Sequence, residues 1–192
     1  MVGRIQFDRE KVVNDALLLF WQKGYVATSM EDIKAATGIK ESSLYNTFGN
    51  KKALFVEALE AYASRVRANI AGLPAKDRPA ESIRLLLRQI ASQAANHDAA
   101  VGCMLMNSAL ELGPEYQDIV DFVMKQYEGI EKWLHATLVH AQSMGEVSSE
   151  KDPETLARFF TYSVQSMFTI ARTRPTKEFM NDVVNTTLSL LD

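Results

Sequence analysis

The stretch that most constrains this 192-residue chain runs from Thr28 to Leu54, TSMEDIKAATGIKESSLYNTFGNKKAL. It holds two short helical patterns and the start of a third. Thr28 and Glu31 are spaced as a capping box, in which the threonine oxygen accepts a first-turn amide and the glutamate reaches back, so a helix is expected to begin here. Ile33 and Ala36 give it a small apolar face, and Gly38 supplies the positive φ that ends it. Ile39 returns to the core, and a second helix carries Leu44, Tyr45 and Phe48. Gly49 stops that helix, and Asn50 caps a longer one opening with Lys51 and Lys52.

This is helix-turn-helix spacing. A second helix of about two turns, roughly 10 Å, fits the major groove while its neighbours hold the backbone. Its outward residues would be Lys40, Glu41, Ser42, Ser43, Asn46 and Thr47, which between them can donate to guanine, accept from cytosine or pair with adenine and thymine edges. The pattern alone fits an ordinary helical hairpin with a solvated outer face equally well.

The run TSMEDIKAATGIKESSLYNTFGNKKALF resembles the DNA-binding domain of TetR-family transcriptional regulators, with matches at Thr28, Ile33, Gly38, Leu44, Tyr45, Phe48, Lys51 and Leu54. It departs from the family pattern at Lys40, where a serine N-cap is usual, at Ser42 for a common glycine and at Thr47 for a common aromatic. The resemblance implies a homodimer that binds a palindromic double-stranded operator and represses transcription until a small-molecule inducer releases it. It also implies phosphate contacts by Tyr45 and Lys51, with Thr28 in the same DNA-contacting set, and base readout by Lys40, Glu41, Ser42, Ser43, Asn46 and Thr47.

Composition bounds the rest. Apolar residues make up 47% and charged residues 23%, as in a soluble globular protein. The longest clear apolar run, Ala16 to Trp21, is far short of a membrane span. The opening MVGRIQFDRE lacks the apolar core of a signal peptide, so a cytoplasmic protein is expected. A lone cysteine, Cys103, excludes an intramolecular disulfide and suits a reducing compartment. The net charge of −3 argues against nucleic acid, yet residues 1–52 hold 8 Lys+Arg against 6 Asp+Glu, leaving 13 against 18 for the remainder. The modest basic excess therefore sits on the reading segment.

Read in order, the chain is helical throughout. Helices are expected over Phe7 to Lys23, from Asn50 to Gly72, from Pro79 to Asn96, from Cys103 to Leu112, from Pro114 to Ser143, from Leu156 to Arg172 and after Pro175. Together with the two short ones they give an all-α fold of about nine helices. Residues 1–50 form the expected helix-turn-helix domain, and residues 51–192 the expected ligand-binding and dimerisation domain.

Large adaptable side chains in the second part, Tyr62, Met104, Met106, Phe122, Met124, Tyr127, Trp133, Tyr162, Met167 and Phe168, are candidates to line a pocket for a largely apolar inducer, although such stripes also build plain core. The helix from Leu156 to Arg172 is apolar nearly all round, and the last helix carries Phe179, Val183, Val184, Leu188 and Leu191. Two helices from each subunit can thus form a four-helix dimer interface.

Other function classes leave fewer marks. His97, His135 and His140 are too scattered for a metal site, and no phosphate loop, nucleophile elbow or H-E-x-x-H is present, so neither an enzyme nor a cofactor is expected. Two alternatives remain beside the regulator. One is a thiol sensor of electrophiles or oxidants, with Cys103 at a helix start where its thiolate is favoured. The other is a helical ligand-binding protein without a DNA function.

Overall fold

The helix ends follow from the residues that cap them. In the computed structural model, which describes residues 7–96, 101–173 and 175–192, Asp8 accepts the amides of Glu10 and Lys11 to start α1 (Arg9–Lys23), and Gly24 at φ 85° ends it. Then come α2 (Met30–Thr37), α3 (Glu41–Phe48), α4 (Lys51–Ala71), α5 (Pro79–Ala94), α6 (Met104–Leu112), α7 (Gln117–Ser143), α8 (Pro153–Ala171) and α9 (Lys177–Leu188). Asp152, followed by Pro153, caps α8 through the Thr155 amide, and Thr176 caps α9 through the Phe179 amide. The described residues contain no strand, and the all-α expectation holds. None of the described helices is long and apolar enough to cross a membrane.

Two local expectations need correcting. The capping box at α2 is built by Ser29 and Asp32, one residue later than Thr28 and Glu31: the Ser29 hydroxyl accepts the Asp32 amide at 3.1 Å, and Asp32 accepts the Ser29 amide at 2.7 Å. Lys23 bonds the same carboxylate at 2.6 Å, and these contacts, Lys23 first, hold Asp32 well below the usual carboxylate range. Further on, the helix expected from Pro114 is preceded by a 3₁₀ turn over Gly113–Tyr116, and α7 proper starts at Gln117.

Helix α3, like α5, starts without a side-chain cap. Lys40 occupies its N-cap position and makes no side-chain cap bond. Replacing Lys40 by serine is expected to stabilise the protein by about 1 kcal/mol, measurable as a rise of roughly 2–4 °C in melting temperature.

The described chain divides into two compact units. One consists of the residues up to Arg67 together with Met104–Val120, the other of Ala68–Cys103 with Asp121–Asp192. In the first, Val12, Ala16, Leu17 and Phe20 of α1 are buried, as are Ile33 of α2, Leu44 and Phe48 of α3 and Leu54, Phe55, Ala58 and Leu59 of α4. Phe20 meets Phe55 edge to face at 5.0 Å between ring centres, and each such ring contributes about 1.5–3 kcal/mol by leaving water. In the second unit, Ile83, Leu87 and Ile90 of α5 pack in one apolar core with Leu134 and Leu138 of α7, Phe160, Val164 and Met167 of α8, and Met180, Val184 and Leu188 of α9.

Candidate nucleic-acid interface

Helix α3 is eight residues long and buries Leu44 and Phe48, so the rest of its surface faces outward. Lys40, Glu41, Ser42, Tyr45, Asn46 and Thr47 are exposed and Ser43 is half-buried. The structure therefore brings the sequence-expected base-reading residues together on a single helix. Tyr45, 46% exposed, joins them.

Thr28 does not. It is buried, and its hydroxyl donates to the Gly24 carbonyl at 2.5 Å, which leaves no group to offer DNA. Lys51, at the first turn of α4, is half-buried with its ammonium 4.3 Å from the centre of the Tyr25 ring. Burial pulls its pKa down, while the carboxylates of Glu111 and Asp32 work in the opposite direction. Lys52 is committed elsewhere, to Asp118 at 2.8 Å and to the face of Tyr116 at 5.4 Å. Asn50 caps α4 by accepting the Ala53 amide at 2.8 Å, so a helix N-terminus with its favourable dipole lies beside Gly49, the residue that ends α3.

Sequence reasoning passed over two further residues here. Lys34, exposed on α2, is an additional cation on this unit; its only signal was an exposed position on a short helix. Glu111, at the end of α6, accepts the amides of Tyr25 and Val26 in the turn before α2. No local pattern marks it, because the bonded residues are 86 and 85 positions away and the donors are backbone.

The candidate ligand residues are divided. Tyr62, Met104 and Met106 belong to the first unit and the other seven to the second. Tyr62 is buried with its ring edge-on to Trp21 at 5.1 Å, and Met104 is buried beside half-buried Met106. In the second unit Met167 is fully buried in the apolar core, with Trp133 and Phe168 packed against it. Phe122 is half-buried, whereas Met124 and Tyr162 are exposed at 40% and 49%.

Tyr127 is buried and donates its hydroxyl to the side-chain Oε1 of Gln165 at 2.5 Å. The thiol of Cys103, also buried, lies 3.3 Å from the same hydroxyl, as a packed core thiol would. No group of three metal-ligating side chains occurs among the described residues, and His97 lies outside them.

Comparison with known proteins matches residues 12–58 to the family model of bacterial regulatory proteins of the tetR family, and residues 79–187 to the tetracyclin repressor-like C-terminal domain. The HTH-type transcriptional repressor ComR of Escherichia coli strain K12 is 33% identical over 186 residues, 96% of this chain and 89% of that protein. An uncharacterized HTH-type transcriptional regulator of Bacillus subtilis strain 168, YezE, is 30% identical over 97% of both. Among solved structures, a cysteine-substituted form of the TetR family regulator CifR, in complex with a 26 bp operator duplex, superposes with a TM-score of 0.87 at 26% identity, covering 99% of this chain and 100% of that one. The outward polar face of α3, set on a buried apolar stripe and flanked by glycine stops, lies inside the first of these matches, and the chain belongs to the TetR family of DNA-binding transcriptional regulators.

Proposed function

We propose that this regulator is a repressor that binds a palindromic operator as a homodimer, presents one α3 to each half-site, and lets go when a small molecule binds its C-terminal part. The observation that carries the reading is α3 itself: its apolar residues are buried and six polar or aromatic side chains from Lys40 to Thr47 are exposed beside the capped start of α4. Tyr45 and Lys51 hold phosphates, helped by the first amides of α4, and Lys40, Glu41, Ser42, Ser43, Asn46 and Thr47 meet base edges. Repression is what the name of the relative ComR describes for that protein. Residues 1–50, with Lys51 and the start of α4 beside them, carry the DNA contacts, and the rest of residues 51–192 the ligand and dimer functions.

The dimer is supported by what α8 and α9 leave uncovered. Phe159 and Tyr162 on α8, and Phe179 and Leu190 at α9 and just beyond it, are 36–49% exposed, with half-buried Ile170 and Val183 on the same stripes. A monomer rarely leaves this much aromatic surface in water. The ligand is a mainly apolar molecule of drug-like size, received by large side chains of the C-terminal part such as Phe122, Tyr127, Trp133 and Phe168. It works by binding the DNA-incompetent arrangement of the dimer more tightly than the competent one, tilting the reading heads through α4, since only a difference in affinity shifts such an equilibrium. The protein acts in the cytoplasm and by binding rather than catalysis. A gel shift with genomic fragments tests the reading: discrete fragments should be retarded in the presence of excess competitor DNA, and retardation of all fragments alike, or of none, would refute it.

A further inference from the structure

The turn between α1 and α2 cannot satisfy its own backbone. Gly24 leaves α1 at φ 85°, and the next two amides, of Tyr25 and Val26, lie beyond the reach of either helix's carbonyl ladder. One side chain from α6 takes both: Glu111 Oε2 accepts Tyr25 N–H at 2.9 Å and its Oε1 accepts Val26 N–H at 2.8 Å. A carboxylate that uses both oxygens on successive amides fixes orientation as well as distance, and such charge-assisted bonds are among the stronger ones. The fit is close. A Cβ on Gly24 would come within 2.7 Å of the Glu111 carboxylate, in a backbone conformation that already disfavours any side chain.

The turn so held is also the hub of the reading unit. The Tyr25 ring lies 4.8 Å from Phe55 of α4 and 5.7 Å from Tyr116, and carries the Lys51 ammonium on its face. Glu111 attracts that ammonium. Thr28 closes the far side through the Gly24 carbonyl, and α2 begins at Met30, directly after the turn. The position of α2, and with it the presentation of α3, is therefore referred to the end of α6.

We propose that Glu111 is a positioning residue for DNA recognition: by clamping the Tyr25 and Val26 amides it fixes the α1–α2 turn and so sets how α3 is offered to the major groove. The inference rests on the DNA-binding reading above, and a charge argument separates it from a general electrostatic effect. Deleting a carboxylate from a DNA-binding unit removes repulsion of the phosphates and by itself tightens binding. Loss of the clamp does the opposite.

Operator affinity of the full-length dimer is measured by fluorescence anisotropy at several salt concentrations for wild type, Glu111→Gln and Glu111→Ala, using a duplex selected by the wild type. Glutamine keeps the shape and one acceptor but turns its amide N–H₂ towards a backbone donor, so it preserves folding even where alanine does not. The expected result is roughly tenfold weaker binding for Glu111→Gln, with an unchanged dependence on salt, together with faster hydrogen exchange at the Tyr25 and Val26 amides. Equal or tighter binding by Glu111→Gln, or a change in salt slope of about one, would overturn the proposal. Failure of the wild type to bind any duplex would instead remove the DNA-binding function itself.

Discussion

Replacing both Phe159 and Phe179 by glutamate is expected to turn the dimer into a monomer and to weaken operator binding by about a hundred- to ten-thousandfold. The two rings are 47% and 43% exposed, on α8 and α9, helices that also carry Phe160, Val164, Met180 and Val184 into the core. Replacing Phe159 gives up its edge-to-face contact with buried Phe160 at 6.0 Å, a loss at the margin of that core, and the two changes place four carboxylates in an apolar four-helix interface. Once one reading head is bound, a dimer presents the second at millimolar effective concentration, and a monomer loses this gain entirely. Sedimentation velocity and operator titration on the same sample check both halves. A variant that remains dimeric would show that the exposed stripes of α8 and α9 are not the interface.

The second large effect concerns how DNA is held and how it is read. Lys51→Ala is expected to weaken binding to every duplex about tenfold and to lower the salt slope by about one. Its ammonium rests on the Tyr25 ring at 4.3 Å, a contact that uses the cation's charge and leaves N–H donors for a phosphate. Thr47→Ala and Glu41→Ala are expected to behave differently. Both side chains are exposed on α3, so their loss should reorder the preferred operators by about 1–3 kcal/mol at single positions without changing the salt slope. Anisotropy titrations of the three variants against a panel of single-base operator changes make the comparison. A Lys51→Ala variant with wild-type affinity at two salt concentrations would remove Lys51 from the phosphate contacts.

The order of the helices was legible because its punctuation is local. Gly24, Gly38 and Gly49 stop helices by taking positive φ, and Asn50, Asp152 and Thr176 start them with short acceptors, so each boundary depends on residues a few positions apart. Even so, the run T-S-M-E-D offers two overlapping capping boxes, and sequence spacing cannot choose between them. The choice is made by what surrounds them: Thr28 is drawn inside and bonds Gly24, while Asp32 gains Lys23 as a partner.

The outward face of α3 was legible for the same reason, since burying Leu44 and Phe48 fixes which residues are exposed. What the sequence hid depends on distant partners. Glu111 meets backbone amides in another part of the chain, and Lys52 is taken up by Asp118, 66 residues away. Methionine and aromatic stripes were the least informative. The same side-chain types fill the apolar core, as Met167 does, and stand exposed on α8, as Tyr162 does, because bulk and softness serve packing, ligand and partner alike.

The central claim, that α3 reads a palindromic operator on behalf of a dimer, is tested most directly by selecting duplexes from a random-sequence pool with the purified wild-type protein and sequencing what it retains. The account predicts a two-fold symmetric motif whose half-sites are centred about one helical turn, 34–36 Å, or a whole multiple of it apart. It also predicts that Thr47→Ala, carried through the same selection, alters bases within the half-sites and leaves their spacing unchanged. Retention of duplexes with no enriched sequence, or of a motif without two-fold symmetry, would contradict it.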